Sequence, residues 1–211
     1  PLKALETHAT ALQASIDLEN GPLMKSALYH LEDGDRLLIV IHHLVVDGVS
    51  WRILLEDLNL AYSSAVEERA IPFPPKTTSF QTWAKEIQEY SHSPSLSAET
   101  AYWQEMAQIA VPPLPRDIEE GENQVRDSRT VSIKLSGEET RHLLQDVHTT
   151  YNTRIDDILL TGLTRALSHW TGCRQALILM EGHGRETLQS SIDVSRTVGW
   201  FTSAYPVLLE L

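Results

Sequence analysis

The chain has 211 residues, 42% hydrophobic and 22% charged, with ten glycines, ten prolines and one cysteine, which suits an ordinary globular protein and excludes collagen-like, mucin-like and wholly disordered classes. One cysteine supports neither an internal disulfide nor a thiolate zinc cage, and no apolar run approaches the roughly 20 residues of a membrane-spanning helix. With 17 Lys and Arg against 29 Asp and Glu the formal net charge is −12, and in the absence of a basic run neither nucleic acid nor an anionic membrane surface is expected as a partner.

The opening Pro1-Leu2-Lys3-Ala4-Leu5-Glu6 lacks a signal-peptide pattern, so a cytoplasmic location is expected. Leu2 to about Ala14 repeats apolar residues near helical spacing and predicts a helix. Leu23–Leu31 and Arg36–His42 read as strands separated by Asp33-Gly34, a hairpin signal. The run Leu37-Leu38-Ile39-Val40-Ile41 is apolar without alternation, which predicts a strand buried on both faces. Ser50 is the expected cap of a helix from Trp51 to about Val66, and two more helices are expected around Phe80–Tyr90 and Ala98–Ala107.

From Val111 to Asp127 the chain carries Pro112, Pro113, Pro115, Gly121 and several acids, a texture that predicts an exposed connector. Beyond it Thr130–Leu135 alternates like a strand. Ser136 with Glu139 forms a capping box opening a helix to about Thr150. Thr153 with Asp156 resembles another, opening a helix over Arg154–Trp170 that Gly172 terminates. Ala176–Met180 and Tyr205–Leu211 read as strands. The expected organisation is two α/β lobes, residues 1–110 and 128–211, joined by a linker over 111–127.

Three segments carry candidate chemistry. In Ile41-His42-His43-Leu44-Val45-Val46-Asp47-Gly48-Val49-Ser50-Trp51 a strand delivers two histidines into a loop. Successive strand side chains point to opposite faces, so if the strand continues through both histidines only one of the pair can face a given cavity. One imidazole can serve as a base, since its pKa lies near neutrality. Alternatively both are hydrogen-bonded structural histidines. A metal reading with His43 and Asp47 as ligands needs at least one more ligand and a supporting shell. Asp47, just before Gly48, reads better as a loop anchor paired with an arginine than as a proton carrier.

In Met180-Glu181-Gly182-His183-Gly184-Arg185-Glu186 two glycines flank His183 and let backbone approach a ligand closely. Glu181 at a strand end is expected to be partly desolvated, which would raise its pKa into a working range. A tight turn with a charged surface is the plainer alternative. In Asp193-Val194-Ser195-Arg196-Thr197-Val198-Gly199-Trp200-Phe201-Thr202 the aromatics either wall a pocket or pack in a core.

Taken together, the three segments resemble one family. His42-His43-Leu44-Val45-Val46-Asp47-Gly48 looks like the His-His-x-x-x-Asp-Gly signature of the condensation superfamily of nonribosomal peptide synthetases, whose fold resembles chloramphenicol acetyltransferase. The segments Asp47–Trp51, Glu181–Glu186 and Thr197–Thr202 resemble those of its epimerization domains, as do the weaker stretches Leu55–Tyr62 and Phe80–Ala84. The resemblance spans essentially the whole chain. It implies a two-lobed sandwich of which this chain holds the N-terminal lobe and the beginning of the C-terminal lobe. The family's domain is considerably longer, so the chain is expected to be a central piece of it.

What the resemblance implies is inversion of the α-carbon of an aminoacyl or peptidyl thioester. The substrate would hang on the phosphopantetheine arm of a peptidyl carrier protein domain directly upstream, with adenylation and condensation domains as neighbours. His43 and Glu181 would flank the α-carbon from the two lobes. His42 would be structural, Asp47 an anchor, and His183 or Arg185 would orient Glu181 or counter its charge. Ser50, Trp51, Gly182, Gly184, Trp200 and Phe201 would line the pocket or the lobe interface. No metal and no cofactor of its own are expected. The rivals are a condensation domain that forms a peptide bond through the same His43, and a carrier-docking module without catalysis.

Overall fold

The hairpin signal is realised by a two-residue turn. In this computed structural model, which describes residues 2–122, 124–186 and 191–211, helix α1 (Leu2–Ala14) is followed by antiparallel strands β1 (Met24–Leu31) and β2 (Gly34–Ile41). Leu31 stands opposite Gly34 and Met24 opposite Ile41. Gly34 adopts φ +117°, a backbone conformation open to glycine and costly for other residues. Burial on both faces of β2 does not occur. Leu37 is exposed and only Leu38–Ile41 are half-buried, and among the described residues β2 pairs with β1 alone.

Helix α2 (Gly48–Val66) starts three residues earlier than the sequence suggests. Its cap is Asp47, whose Oδ1 accepts the Ser50 N–H at 2.7 Å, and Ser50 is drawn into the first turn. Carboxylate and hydroxyl both suit an N-cap, and tertiary partners decide between them here. Helix α3 (Phe80–Tyr90) falls where expected, capped by Ser79. The single helix expected over Ala98–Ala107 is a short α4 (Pro94–Ala98) and α5 (Thr100–Gln108).

The connector after α5 has one 3-10 turn, Val125–Asp127, and otherwise no regular element among its described residues. No strand forms over Thr130–Leu135, where Val131 and Ile133 are each 91% exposed. Alternation predicts a half-buried strand only where a neighbour supplies the ladder, and no described strand pairs with this one.

The Ser136–Glu139 capping box is present: Ser136 Oγ accepts the Glu139 N–H at 3.1 Å, and the Glu139 carboxylate accepts the Ser136 N–H at 2.7 Å. It opens α6 (Gly137–Arg141), which runs through a π-helical turn (His142–Asp146) into α7 (Val147–Tyr151). The expected Thr153–Asp156 box does not form, the N-cap being Arg154, which has no side-chain acceptor to complete one. The Asp157 carboxylate accepts the Arg154 N–H at 2.8 Å and α8 covers Ile155–Thr171. Gly172, at φ +72°, terminates α8 as expected. Strands β3 (Gln175–Gly182) and β4 (Ser203–Glu210) form the second sheet.

Packing groups Pro1–Ala98 with Glu181–Ala204 in one compact unit, and Glu99–Met180 with Tyr205–Leu211 in another. These limits differ from the expected lobe boundaries at 110 and 128, because the loop after β3 packs with α2 and α3 rather than with α8. Both Glu181 and His43 therefore belong to the first unit. Among the described residues no helix is long and apolar enough to cross a membrane.

Candidate active site

The first unit is organised by one buried ion pair. Asp47 and Arg185, 138 positions apart in sequence, have side chains only 3% and 6% exposed and meet at 3.1 Å. Arg185 Nη1 donates to the carbonyls of Val194 (2.8 Å) and Thr197 (2.7 Å), and Nη2 donates to Asp47 and to Ser50 Oγ (2.9 Å). Its guanidinium lies 4.0 Å from the Phe201 ring centroid. The planar fork thus spans the α2 turn and the loop before β4 at once, a geometry that suits arginine and not lysine.

Ser50, fully buried, completes the arrangement. Its Oγ donates to the Gly199 carbonyl (2.9 Å) and accepts the Gly199 N–H (3.0 Å), while the Phe201 N–H donates to Asp47 Oδ2 (3.1 Å). Backbones meet closely here. A Cβ on Gly184, which sits at φ +65°, would lie 1.6 Å from the Phe201 carbonyl oxygen, and one on Gly199 would lie 2.3 Å from the Phe80 ring. Phe201 is buried against Phe80 and Trp83.

The buried pair also fixes an ionisation state. Burial is the largest single influence on the Asp47 carboxyl and pushes its pKa up, but the hydrogen bonds from Ser50 and Phe201 and the Arg185 charge together outweigh it, so the carboxyl titrates below its ordinary value. A carboxyl lowered by folding contributes stability that is complete above the unfolded-state pKa of about 3.9 and is lost as pH falls through the lower folded value. An NMR titration is expected to find Asp47 mostly ionised at pH about 3.9, with the α2 turn loosening only at lower pH. A midpoint at or above the ordinary carboxylate value would contradict this.

The expected strand through His42 and His43 ends at Ile41, so the two histidines differ by their places in the 3-10 turn and its cap rather than by alternation. His42 is half-buried and its Nδ1 accepts the Leu44 N–H at 3.2 Å, which leaves the proton on Nε2 and gives this ring a structural task. His43, exposed, opens the 3-10 turn His43–Val45 and packs edge-on against Trp200, with ring centroids 5.4 Å apart. Glu181, the penultimate residue of β3, is exposed, so the desolvation expected at the strand end is absent from this structure. His183 Nδ1 accepts the Arg185 N–H at 3.0 Å and lies 3.7 Å from Glu186.

The structure thus joins Asp47, Ser50, Arg185, Gly184 and Phe201 in one buried cluster, with His43 and Trp200 beside it. It does not give Arg185 the role of orienting Glu181, because the guanidinium is taken up by Asp47, Ser50 and two carbonyls. His183 likewise turns to its own loop. Trp51 is half-buried in the first turn of α2 and Gly182 half-buried at the end of β3. Among the described residues no group of three or more His, Cys, Asp or Glu is placed to hold a metal ion.

Sequence reasoning misses the outer fastening of the loop. Thr77 and Thr197 share a hydroxyl hydrogen bond (2.8 Å), Thr78 N–H donates to the Asp193 carbonyl (2.8 Å), and Arg196 pairs with Glu56 and Asp57. These partners are more than a hundred residues apart and share no periodicity. Only the local segment Asp193–Thr197 stands out along the chain.

A family model described as "Condensation domain" matches residues 3–211. The chain is 49% identical over 203 residues to surfactin synthase subunit 2 of Bacillus subtilis, covering 96% of this chain and 6% of that protein. It is 49% identical over 203 residues to bacitracin synthase 3 of Bacillus licheniformis, covering 96% and 3%. Among solved structures it resembles the epimerization domain from the third module of tyrocidine synthetase B, with TM-score 0.90, 44% identity and coverage of 99% of this chain and 48% of that one. The first condensation domain of the calcium-dependent antibiotic synthetase has a TM-score of 0.70 at 19% identity, covering 98% of this chain and 48% of that one, a likeness of fold. The chain therefore spans about half of the similar solved domain and a small part of the synthetases.

Proposed function

The chain belongs to the condensation-domain family of nonribosomal peptide synthetases, with its chloramphenicol acetyltransferase-like fold, and from that premise we propose that its domain inverts the α-carbon of an aminoacyl or peptidyl thioester held on a carrier protein. One observation carries the choice of epimerization over condensation. Identity is 44% to the epimerization domain at a TM-score of 0.90, against 19% and 0.70 for the condensation domain.

A thioester suits this chemistry. Its sulfur donates less into the carbonyl than an amide nitrogen does, so the α-proton is easier to remove and the enolate easier to form. Inversion then needs a proton acceptor on one face, a donor on the other, and stabilisation of the enolate oxygen. His43 and Glu181 are assigned to the two faces. His43 is exposed at the start of the turn that Asp47 anchors, and Glu181 is exposed at the end of β3, four residues before the arginine that pairs with that anchor. The scheme uses no metal and no cofactor of the domain's own. The phosphopantetheine belongs to the carrier, which contributes binding energy remote from the reacting carbon.

The test is made with the complete domain and its cognate carrier in deuterated buffer, the carrier loaded with L- or D-aminoacyl thioester and label and chirality followed separately. Inversion accompanied by label at the α-carbon is expected from either enantiomer, and turnover of the free amino acid is expected to be far lower. Peptide-bond formation with an offered amine, without label, would establish condensation instead. Carrier binding with neither reaction would leave a docking module.

A further inference from the structure

His43 is exposed in the 3-10 turn that follows β2, whereas a proton acceptor must be held within hydrogen-bond reach of one hydrogen. The ring packed against it is Trp200, at a centroid distance of 5.4 Å and an interplanar angle of 71°, an edge-to-face contact. Trp200 is itself held from both sides. Gly199 before it exchanges two hydrogen bonds with Ser50 Oγ, and Phe201 after it donates to Asp47. Ser50 and Asp47 belong to the turn that follows His43 within a few residues. Both partners of the aromatic contact are thus referenced to the same buried α2 terminus, although Trp200 lies over 150 positions away in sequence. The indole is 44% exposed, so removing it opens no core.

Resting on the epimerase reading above, we propose that Trp200 is the positioning residue of the His43 base: its ring holds the imidazole in the one orientation that reaches the substrate's α-proton. The Asp47–Arg185–Ser50 cluster acts through it, because the cluster sets where Trp200 stands.

Trp200→Ala in the complete domain is expected to lower kcat for inversion of the carrier-bound thioester by about 10–10²-fold, the scale on which small misplacements of reacting groups cost rate. KM for the loaded carrier should stay unchanged, the signature of a group that acts only at the reacting centre. Trp200→Phe, which keeps an aromatic ring against His43, should recover most of the rate, and the thermal midpoint of both variants should stay near that of the parent. Side-chain couplings of His43 measured by NMR should report one rotamer in the parent and averaging in Trp200→Ala. An unchanged kcat, a raised KM with unchanged kcat, or a His43 ring equally ordered in the Ala variant would overturn the proposal. Failure of the epimerase reading looks different: the unsubstituted domain would neither label nor invert, while the NMR comparison would still decide whether Trp200 orders His43.

Discussion

Replacing Glu181 by Gln is expected to lower inversion of the carrier-bound thioester by about 10²–10⁴-fold, the usual contribution of a positioned general acid or base. The change keeps size and hydrogen bonding and removes only the titratable proton. Glu181 is exposed at the strand end, so the substitution leaves no buried group unpaired and stability should hardly move. If His43 and Glu181 each serve one face of the α-carbon, each variant should lose inversion but keep solvent exchange for one enantiomer. His43→Ala should then exchange the label of the isomer that Glu181 deprotonates, and Glu181→Gln that of the other. Replacing His42 should instead lower stability, since its Nδ1 accepts the Leu44 N–H. Unchanged inversion in Glu181→Gln would remove this carboxylate from the mechanism and leave His43 as the only one of the two groups acting in it.

The largest effect on stability is expected from Arg185→Met. It strips the buried Asp47 of its counter-charge and leaves the Val194 and Thr197 carbonyls without their guanidinium donor. Breaking a buried pair by removing one partner typically costs about 3–5 kcal/mol. Removing both charges together, as Asp47→Leu with Arg185→Met, should cost less than the sum of the single changes, since no uncompensated charge is left inside. Some loss remains, because the N–H groups of Ser50 and Phe201 lose their acceptor. Denaturant unfolding of the complete domain across this double-mutant cycle measures the coupling. Additive losses would show that the pair is not the unit that fastens the loop to α2.

Local signals read well where one short stretch contains all the partners. The hairpin near Asp33-Gly34, the Ser136–Glu139 capping box, the glycine stop at Gly172 and helix α3 each depend on residues a few positions apart, and each is present in the structure, the hairpin with its turn one residue earlier, at Glu32-Asp33. The failures share a different cause. Thr130–Leu135 has the alternation of a strand and no ladder partner among the described residues. At α2, Ser50 has the chemistry of a cap, but Gly199 and Arg185 claim its hydroxyl and leave the capping to Asp47.

The sequence by itself determined the family, because three motifs in order are a property of the chain as written, and it determined that Asp47 would anchor through an arginine. Alternation along a strand does not separate His42 from His43, because β2 ends at Ile41 and the two histidines form the cap and first residue of the 3-10 turn beyond it. Only the tertiary structure decided which arginine that is, that Arg185 is therefore taken from Glu181, that Glu181 stands exposed, and that Trp200 faces His43. Each of these contacts joins positions more than a hundred residues apart or depends on burial, and neither periodicity nor composition encodes which distant backbone will supply a donor.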